Sequence, residues 1–262
     1  MVGAGDEMDP LTMDHETVPP KQILVGVGDM DSADAIALGR VLAGAFGDEL
    51  RLVHVHRSGH PDAPGERRCP PELEMLGAGS PAAGLQEALD NADVRLAVLG
   101  SPGQGFLARA LASGVGERLL SGGAALPVVV APRGYARDPA MALRAVGCGF
   151  DGSSEAWGAW QEACRIAEKT DAALHVYVLT EGRPANVLRE AARKLDLLVV
   201  GSRGLGSLES ALLGSESRKL MGSTTCPVMV VPQPHPASEV KPPMIAPYAM
   251  CATRVASNVP RP

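Results

Sequence analysis

The chain is poor in aromatic residues and has neither a long apolar run nor an excess of basic residues. Phe, Trp and Tyr make up 3% of its 262 residues, so its core must be built mainly from Leu, Val and Ala. No apolar stretch approaches the roughly 18 residues that a membrane-spanning helix needs. Met1 to Pro10 are acidic, unlike a signal peptide. With a net charge of −6, the chain is predicted to bind neither nucleic acid nor a membrane.

Motifs for disulfides, metals and common catalytic sites are also missing. The five cysteines are an odd number without C-x-x-C spacing, so we expect a cytoplasmic protein with no zinc site. His54 and His56 share a strand face near His60, but we favour residues at a sheet end over a metal site. The chain has no Gly-Lys-Ser/Thr phosphate loop and no G-x-S-x-G elbow, and Gly26-Val-Gly28 lacks a third glycine. No catalytic residue is therefore assigned.

The order of apolar and turn segments predicts two tandem α/β domains. Strand and helix patterns alternate through residues 21–133 and start again through residues 140–233. The halves are an internal repeat, because Gly100-Ser-Pro-Gly103 lies 101 positions before Gly201-Ser-Arg-Gly204. The second half is abbreviated between its first helix and its glycine loop, so Leu174 to Thr180 must serve where two strands would stand. We expect residues 1–20 to be a flexible leader and residues 234–262 a disordered Pro-rich tail.

The most informative stretch begins as a buried strand and ends as a helix. Leu197 to Val200 are apolar without alternation, as in a strand buried on both faces of a parallel sheet. A loop with glycines at 201, 204, 206 and 214 follows, and Glu216 to Gly222 have the pattern of a short helix. Glycine lets the backbone approach a ligand, and a helix start presents free N–H groups. This stretch therefore predicts an anion site.

The spacing Gly201-x2-Gly204-x9-Gly214-Ser215 resembles the signature of the ATP-binding branch of the universal stress protein family. Thr225 to Val231 are similar to the closing strand of that family, and Val146 to Ser153 to its opening strand with an acidic residue at the end. The resemblance implies two doubly wound, Rossmann-like parallel sheets with strand order 3-2-1-4-5. It also implies a cleft between the first and fourth strands of the second half, where the winding reverses.

By the same resemblance, ATP or another adenine nucleotide would bind in the second domain, accompanied by Mg²⁺. Asp151 and the backbone near Val178 would hold the adenosine end, and Arg203 would contact phosphate. The whole implied set is Asp151, Val178, Val200, Gly201, Arg203, Gly204, Gly214, Ser215, Glu216 and Ser217. Glu216 opposes tight binding, because its carboxylate would repel phosphate at the helix start.

The first half departs further from the signature. Its loop is Gly100-x2-Gly103-x9-Ser113-Gly114, in which the Gly-Ser pair is inverted. The acidic position is Asp29 if the helix phase sets the alignment, and Gly28 if the strand pattern does. We expect this half to bind nucleotide weakly or not at all.

The predicted function is a stress-response regulator or sensor that binds nucleotide and hydrolyses it slowly at most. One alternative is a protein-interaction module without nucleotide, and another is a small-molecule enzyme using the same cleft. The resemblance further implies pairing of fifth strands, here Val128 to Ala131 with Val228 to Val231 within one chain, and a homodimer is possible.

Overall fold

The computed structural model describes residues 20–28, 32–57, 71–90, 93–100, 126–179, 184–202 and 224–232. The predicted tail and all but the last residue of the predicted leader lie outside this part of the chain. The described strands are β1 (Gln22–Gly26), β2 (Glu49–Arg57), β3 (Leu73–Ala78), β4 (Val94–Gly100), β5 (Val128–Ala131), β6 (Ala145–Phe150), β7 (Ala173–Val178), β8 (Leu197–Gly201) and β9 (Val228–Val231). The described helices are α1 (Ala33–Phe46), α2 (Pro81–Asp90), α3 (Ser154–Thr170) and α4 (Pro184–Ala192), with a 3-10 turn at Tyr135–Arg137.

The described strands form one nine-stranded sheet in the order β3-β2-β1-β4-β5-β9-β8-β6-β7. The first half has the predicted order 3-2-1-4-5, with every pair parallel. In the second half, β6, β7, β8 and β9 take the first, second, fourth and fifth places. In the part of the chain that the structure describes, no strand takes the third place, so β7 lies at the edge of the sheet. The segment that was predicted to serve for two strands therefore provides one, β7, in the second place, and Thr180 lies outside the described residues.

The two halves are joined through their fifth strands. β5 and β9 are antiparallel, with Val129 opposite Met229 and Val128 opposite Val230. All four side chains are at most 1% exposed. Because β5 and β9 are equivalent in the repeat, this junction has local two-fold symmetry centred on Val129 and Met229. The carboxyl ends of the parallel strands in the two halves therefore lie at opposite ends of the sheet.

Helices cover both faces of this sheet and create two apolar layers. One layer combines α1 and α3 with alternate residues of the strands, including Ile23, Val129 and Met229. The other combines α2 and α4 with the remaining residues, including Val128 and Val230. Both layers contain side chains from both halves, so the sheet and its two cores are continuous across the repeat.

The sequence pattern predicts one buried face of α3 that carries Trp157, Trp160, Ala163, Cys164 and Ala167, and four of these five residues lie against the core. Ala163 and Ala167 are buried, and Trp160 and Cys164 are partly buried against the same layer. Trp157 is the exception, since it is half-buried while Ala156 and Ala159 lie in the core. Alanines allow the helix to approach β6 closely, and the bulky indole is left at the side of the contact.

Charged residues also connect the halves beside the end of α1. The Lys169 ammonium of α3 lies 6.0 Å from the Phe46 ring centroid, and the Arg95 guanidinium of β4 lies 5.5 Å from it. Arg95 also forms an ion pair with Asp48, whose side chain is 2% exposed. Burial would raise the pKa of Asp48, but Arg95, with smaller contributions from Lys21 and Lys169, outweighs it and holds that pKa below its ordinary value.

Candidate functional site

The winding of the second half reverses at β6. β7 lies on one side of this strand and β8 on the other, both parallel to it. Val178 is level with Phe150, the residue before Asp151, and the register of β8 puts Gly201 beside the same end. Three sequence-predicted residues, Asp151, Val178 and Gly201, therefore lie at the carboxyl ends of three neighbouring strands, the usual ligand position in such a sheet.

Asp151 is exposed and held by a local turn. Its Oδ1 accepts hydrogen bonds from the Ser153 backbone N–H at 3.0 Å and from the Ser153 hydroxyl at 2.6 Å. Gly152 between them has φ +84°, which a side chain would strain. Ser153 Oγ in turn accepts from the Ala156 N–H at 3.2 Å and begins α3. The turn fixes the carboxylate at the carboxyl end of β6 without burying it.

The end of β7 provides an apolar wall. Val178 is 55% exposed, a large fraction for an apolar residue in a strand. Its neighbour Tyr177 packs against the core layer of α2 and α4, and this burial raises the pKa of the Tyr177 phenol. An exposed valine next to Asp151 can cover the face of a flat organic group.

The end of β8 is buried. Val200 is 3% exposed, and Gly201 pairs with Val231 of β9. The following residue, Ser202, is 5% exposed and donates its backbone N–H to the Val231 carbonyl at 2.9 Å. Val200 therefore belongs to the core and can contribute only its backbone to a ligand, whereas Gly201 is the last residue before the predicted glycine loop.

The remaining predicted residues lie outside the described part of the chain. They are Arg203, Gly204, Gly214, Ser215, Glu216 and Ser217. The structure thus brings together the strand-end part of the predicted site, and the phosphate loop stays a prediction from sequence.

Strand register identifies the counterpart of Asp151 in the first half. Ile23 of β1 is level with Leu96, as Val146 of β6 is level with Leu197. Gly28 and Asp151 each lie five residues beyond those positions. Of the two alignments, the register supports Gly28, so the acidic side chain has no counterpart at this place, while Asp29 lies outside the described residues.

His54 and His56 lie in β2, as predicted, and His60 lies outside the described residues. His54 is 3% exposed in β2, and its Nδ1 lies 2.9 Å from the Val27 carbonyl oxygen. Among the residues that the structure describes, no group of three His, Cys, Asp or Glu side chains could hold a metal ion. The same part of the chain contains no helix long and apolar enough to cross a membrane.

Sequence reasoning missed an aromatic contact beside the site. The Phe150 and Trp157 rings meet edge to face with centroids 5.1 Å apart, and Trp157 meets Trp160 in the same way at 5.5 Å. Phe150 directly precedes Asp151, so Trp157 contacts the residue next to the predicted site residue. The sequence did contain a signal for this contact. Aromatic residues are scarce in the chain, yet Phe150, Trp157 and Trp160 lie within one short segment, which indicates a packed cluster.

A separate cleft of about 600 Å³ lies at the other end of the second-half strands. It is lined by the segment between the halves, including Tyr135 and Arg144, and by Asp196 and Cys226. Asp196 already accepts hydrogen bonds there from the backbone N–H groups of Arg144 and Ala145, at 2.7 and 2.9 Å. This cleft is not the predicted site, which lies where the same strands end.

Comparison with known proteins finds similarity in one part of the sequence and across most of the fold. Residues 177–232 match the model of the universal stress protein family. A universal stress protein of Thermus aquaticus is 46% identical over 56 residues, 21% of this chain and 41% of that protein. One of Methanocaldococcus jannaschii is 40% identical over 72 residues, 27% of this chain and 42% of that protein. The chain thus spans about two fifths of the length of these curated relatives.

Solved structures extend the similarity to both halves at the level of fold. A universal stress protein from Archaeoglobus fulgidus matches 81% of this chain and 96% of its own, with a TM-score of 0.59 and 18% identity. A putative universal stress protein from Pseudomonas aeruginosa matches 81% of this chain and 93% of its own, with a TM-score of 0.56 and 15% identity. These likenesses show the mixed α/β fold with its mainly parallel sheet.

Proposed function

We propose that the second half of this chain, in which residues 177–232 match the universal stress protein family, binds ATP or another adenine nucleotide at the carboxyl ends of β6, β7 and β8. The observation that carries the proposal is the convergence of Asp151, Val178 and Gly201 at the point where the winding reverses. Such a crevice is where doubly wound sheets bind nucleotides.

The described residues suit the adenosine end of the ligand. Asp151 has one oxygen engaged by Ser153 and is exposed, so its other oxygen can accept a hydrogen bond from a ribose hydroxyl. Val178 offers an exposed apolar surface for the base. The fixed turn at Gly152 supports affinity, because the carboxylate loses little freedom on binding.

The phosphate end rests on the sequence. Gly201, Gly204, Gly214, Ser215 and Ser217 would supply N–H and hydroxyl groups, and Arg203 a charged contact. Mg²⁺ would accompany the nucleotide. Glu216 would weaken binding, since its carboxylate lies next to the phosphate position.

The bound nucleotide would act as a signal in a cytoplasmic stress-response regulator. The sequence has no motif that places a general base beside a nucleophile, so hydrolysis would be slow at most. A protein-interaction module without nucleotide is the alternative, and the vacant third-strand position in the described sheet favours it.

Nucleotide content and thermal stability test the proposal. We expect adenine nucleotide to co-purify with the protein, and Mg-ATP at millimolar concentration to raise its melting temperature, because a ligand that binds the folded state stabilises it. Gly204→Val should abolish the shift, since a side chain would block the approach of phosphate, whereas Gly103→Val in the other half should leave it intact. Equal effects would contradict a single competent half.

The acidic residue is tested separately. Asp151→Asn keeps an oxygen that can cap Ser153 but removes the charge, so the Kd for ATP should rise about tenfold, the loss of one charged hydrogen bond. Asp93→Asn is the control, because Asp93 is exposed in the first half and pairs with Lys21. If neither ATP nor ADP binds the unaltered protein by calorimetry, the interaction module becomes the better account.

A further inference from the structure

Among the residues that the structure describes, no strand lies beside one long edge of the sheet in the second half. In the first half β3 runs alongside β2, with six residue pairs from Leu52 opposite Leu73 to Arg57 opposite Ala78. Its counterpart β7 has β6 on one side and no described strand on the other. The length of the segment between the second strand and the following helix explains the difference. In the first half 23 residues separate Arg57 of β2 from Pro81 of α2, whereas in the second half only five separate Val178 of β7 from Pro184 of α4.

The backbone of β7 can bond a further strand. The Ala173 N–H donates to the Arg144 carbonyl and the Leu179 N–H to the Phe150 carbonyl, both on the β6 side. Bonding alternates along a parallel strand, so the N–H groups of Leu174, Val176 and Val178 face away from β6. Such groups bind an extended strand, which sets the kind of partner that fits.

Apolar side chains accompany this edge. Helices α2 and α4 align residue for residue, with Pro81 equivalent to Pro184 and Leu85, buried in the same core layer, equivalent to Leu188. In this alignment Gly84, which lies against Val55 and against Ala78 of β3, is replaced by Val187, which is 48% exposed. We call Ala173–Val178 together with Val187 the open edge.

The open edge also lacks the protection that edge strands usually carry. β3, at the other end of the sheet, has Glu74 in an ion pair with Arg51. β7 has the sequence ALHVYV, without Asp, Glu, Lys, Arg or proline. Charge and proline are the usual devices that prevent edge-to-edge pairing, and an edge without them is suited to association.

The chain already shows how equivalent strands pair. At the β5–β9 junction, pairing centred on Val129 and Met229 keeps each core layer on its own side of the sheet. Two copies of β7 meet the same condition, because antiparallel pairing centred on one residue puts Leu174 and Val176 of both strands on one face and Tyr177 on the other. Because β7 contains no Asp, Glu, Lys or Arg, identical strands meet without repulsion between such side chains.

We propose that two copies of this chain associate antiparallel through the open edge and form one continuous sheet. Val187 of each copy covers the junction on the side of α4. This interface differs from pairing through fifth strands, since β5 and β9 already bond each other within the chain. Val178 belongs both to the open edge and to the proposed nucleotide site, so the association is tested without nucleotide.

The test is sedimentation velocity of the full chain over a wide concentration range, combined with amide hydrogen exchange, both without nucleotide. We expect a reversible dimer and slower exchange of the Leu174, Val176 and Val178 amides as concentration rises. Val187→Lys should raise the dimer Kd about tenfold or more, because the junction would have to bury an ammonium group. Met75→Lys is the matched control, since Met75 is 42% exposed on β3 at the other sheet edge.

A second variant removes a backbone donor. Val176→Pro deletes an outward N–H while sparing the bonds to β6, so it should also abolish dimers. If the Val176→Pro variant does not fold, the dimer Kd of the Val187→Lys variant decides the test. A monomer at every concentration would overturn the proposal, as would a dimer that Val187→Lys leaves unchanged. Slow exchange that does not depend on concentration would show that the chain covers its own open edge. That result would also contradict the proposal that a second copy binds there.

Discussion

At the scale of single residues, Asp34 connects the first helix to the segment between the halves. It is 8% exposed, and its carboxylate accepts hydrogen bonds from the backbone N–H groups of Gly134 at 2.8 Å and Ala136 at 2.7 Å. Both bonds span about a hundred positions of sequence. One side chain thus caps the 3-10 turn and holds the linker against α1.

Asp34→Ala should therefore lower the free energy of unfolding by about 3 kcal/mol, since it removes two charged hydrogen bonds and leaves their donors without the carboxylate. Urea denaturation measures the change. The control is Asp93→Ala, whose ion pair with Lys21 is exposed and should contribute less than about 0.5 kcal/mol. Equal losses in the two variants would mean that the linker is not held by Asp34.

Residue roles differ in how far sequence could predict them. The position of Asp151 after β6 was predictable because its turn is local, and its role in nucleotide binding stays a prediction. Asp34 was not predictable, since its acceptor role depends on donors 100 and 102 positions away. The choice between Gly28 and Asp29 required the register between β1 and β4, which a single sequence does not contain.

At the scale of elements, glycine positions decide how closely a helix approaches the sheet. A Cβ on Gly84 of α2 would lie 2.4 Å from Val55 Cγ1 and 2.9 Å from the Ala78 Cβ, whereas one on Gly44 of α1 would meet nothing within 4 Å. Gly84 therefore permits α2 to pack on β2 and β3, and Gly44 has no packing role of this kind.

Replacing glycine by alanine at these two positions should change the stability of the protein in opposite directions. Gly84→Ala should destabilise the protein by about 1–3 kcal/mol through overpacking. Gly44→Ala should stabilise it by about 0.5–1 kcal/mol, because alanine is the better helix former. Chemical denaturation of both variants measures the two changes, and stabilisation by Gly84→Ala would show that α2 does not pack against β3 at this distance.

Strands and helices themselves were largely predictable, and their buried faces less so. Apolar runs such as Leu197 to Val200 indicated buried strands, and β8 is buried along its whole length. On α3 one predicted core residue departs from the buried face. Ala156 and Ala159 pack closely in the core, and the bulkier Trp157 contacts the Phe150 ring beside it.

At the scale of the whole molecule, the repeat produces one sheet. The sequence predicted two doubly wound units, and the alternation of elements supports that description of each half. The continuous core could not be read from alternation, because β5 and β9 meet across 100 residues and their register depends on side chains from both halves.

A continuous sheet predicts cooperative unfolding. Both tryptophans, Trp157 and Trp160, lie in the second half, so fluorescence reports that half while far-UV circular dichroism reports both. We expect the two signals to give the same denaturation midpoint. Val129→Ala changes the first half at the junction and should lower the free energy of unfolding by about 2 kcal/mol through lost packing. In a cooperative molecule this change lowers the midpoint of the fluorescence transition as well. Separate midpoints, or a fluorescence transition that ignores Val129→Ala, would show that the halves unfold independently in spite of the shared sheet.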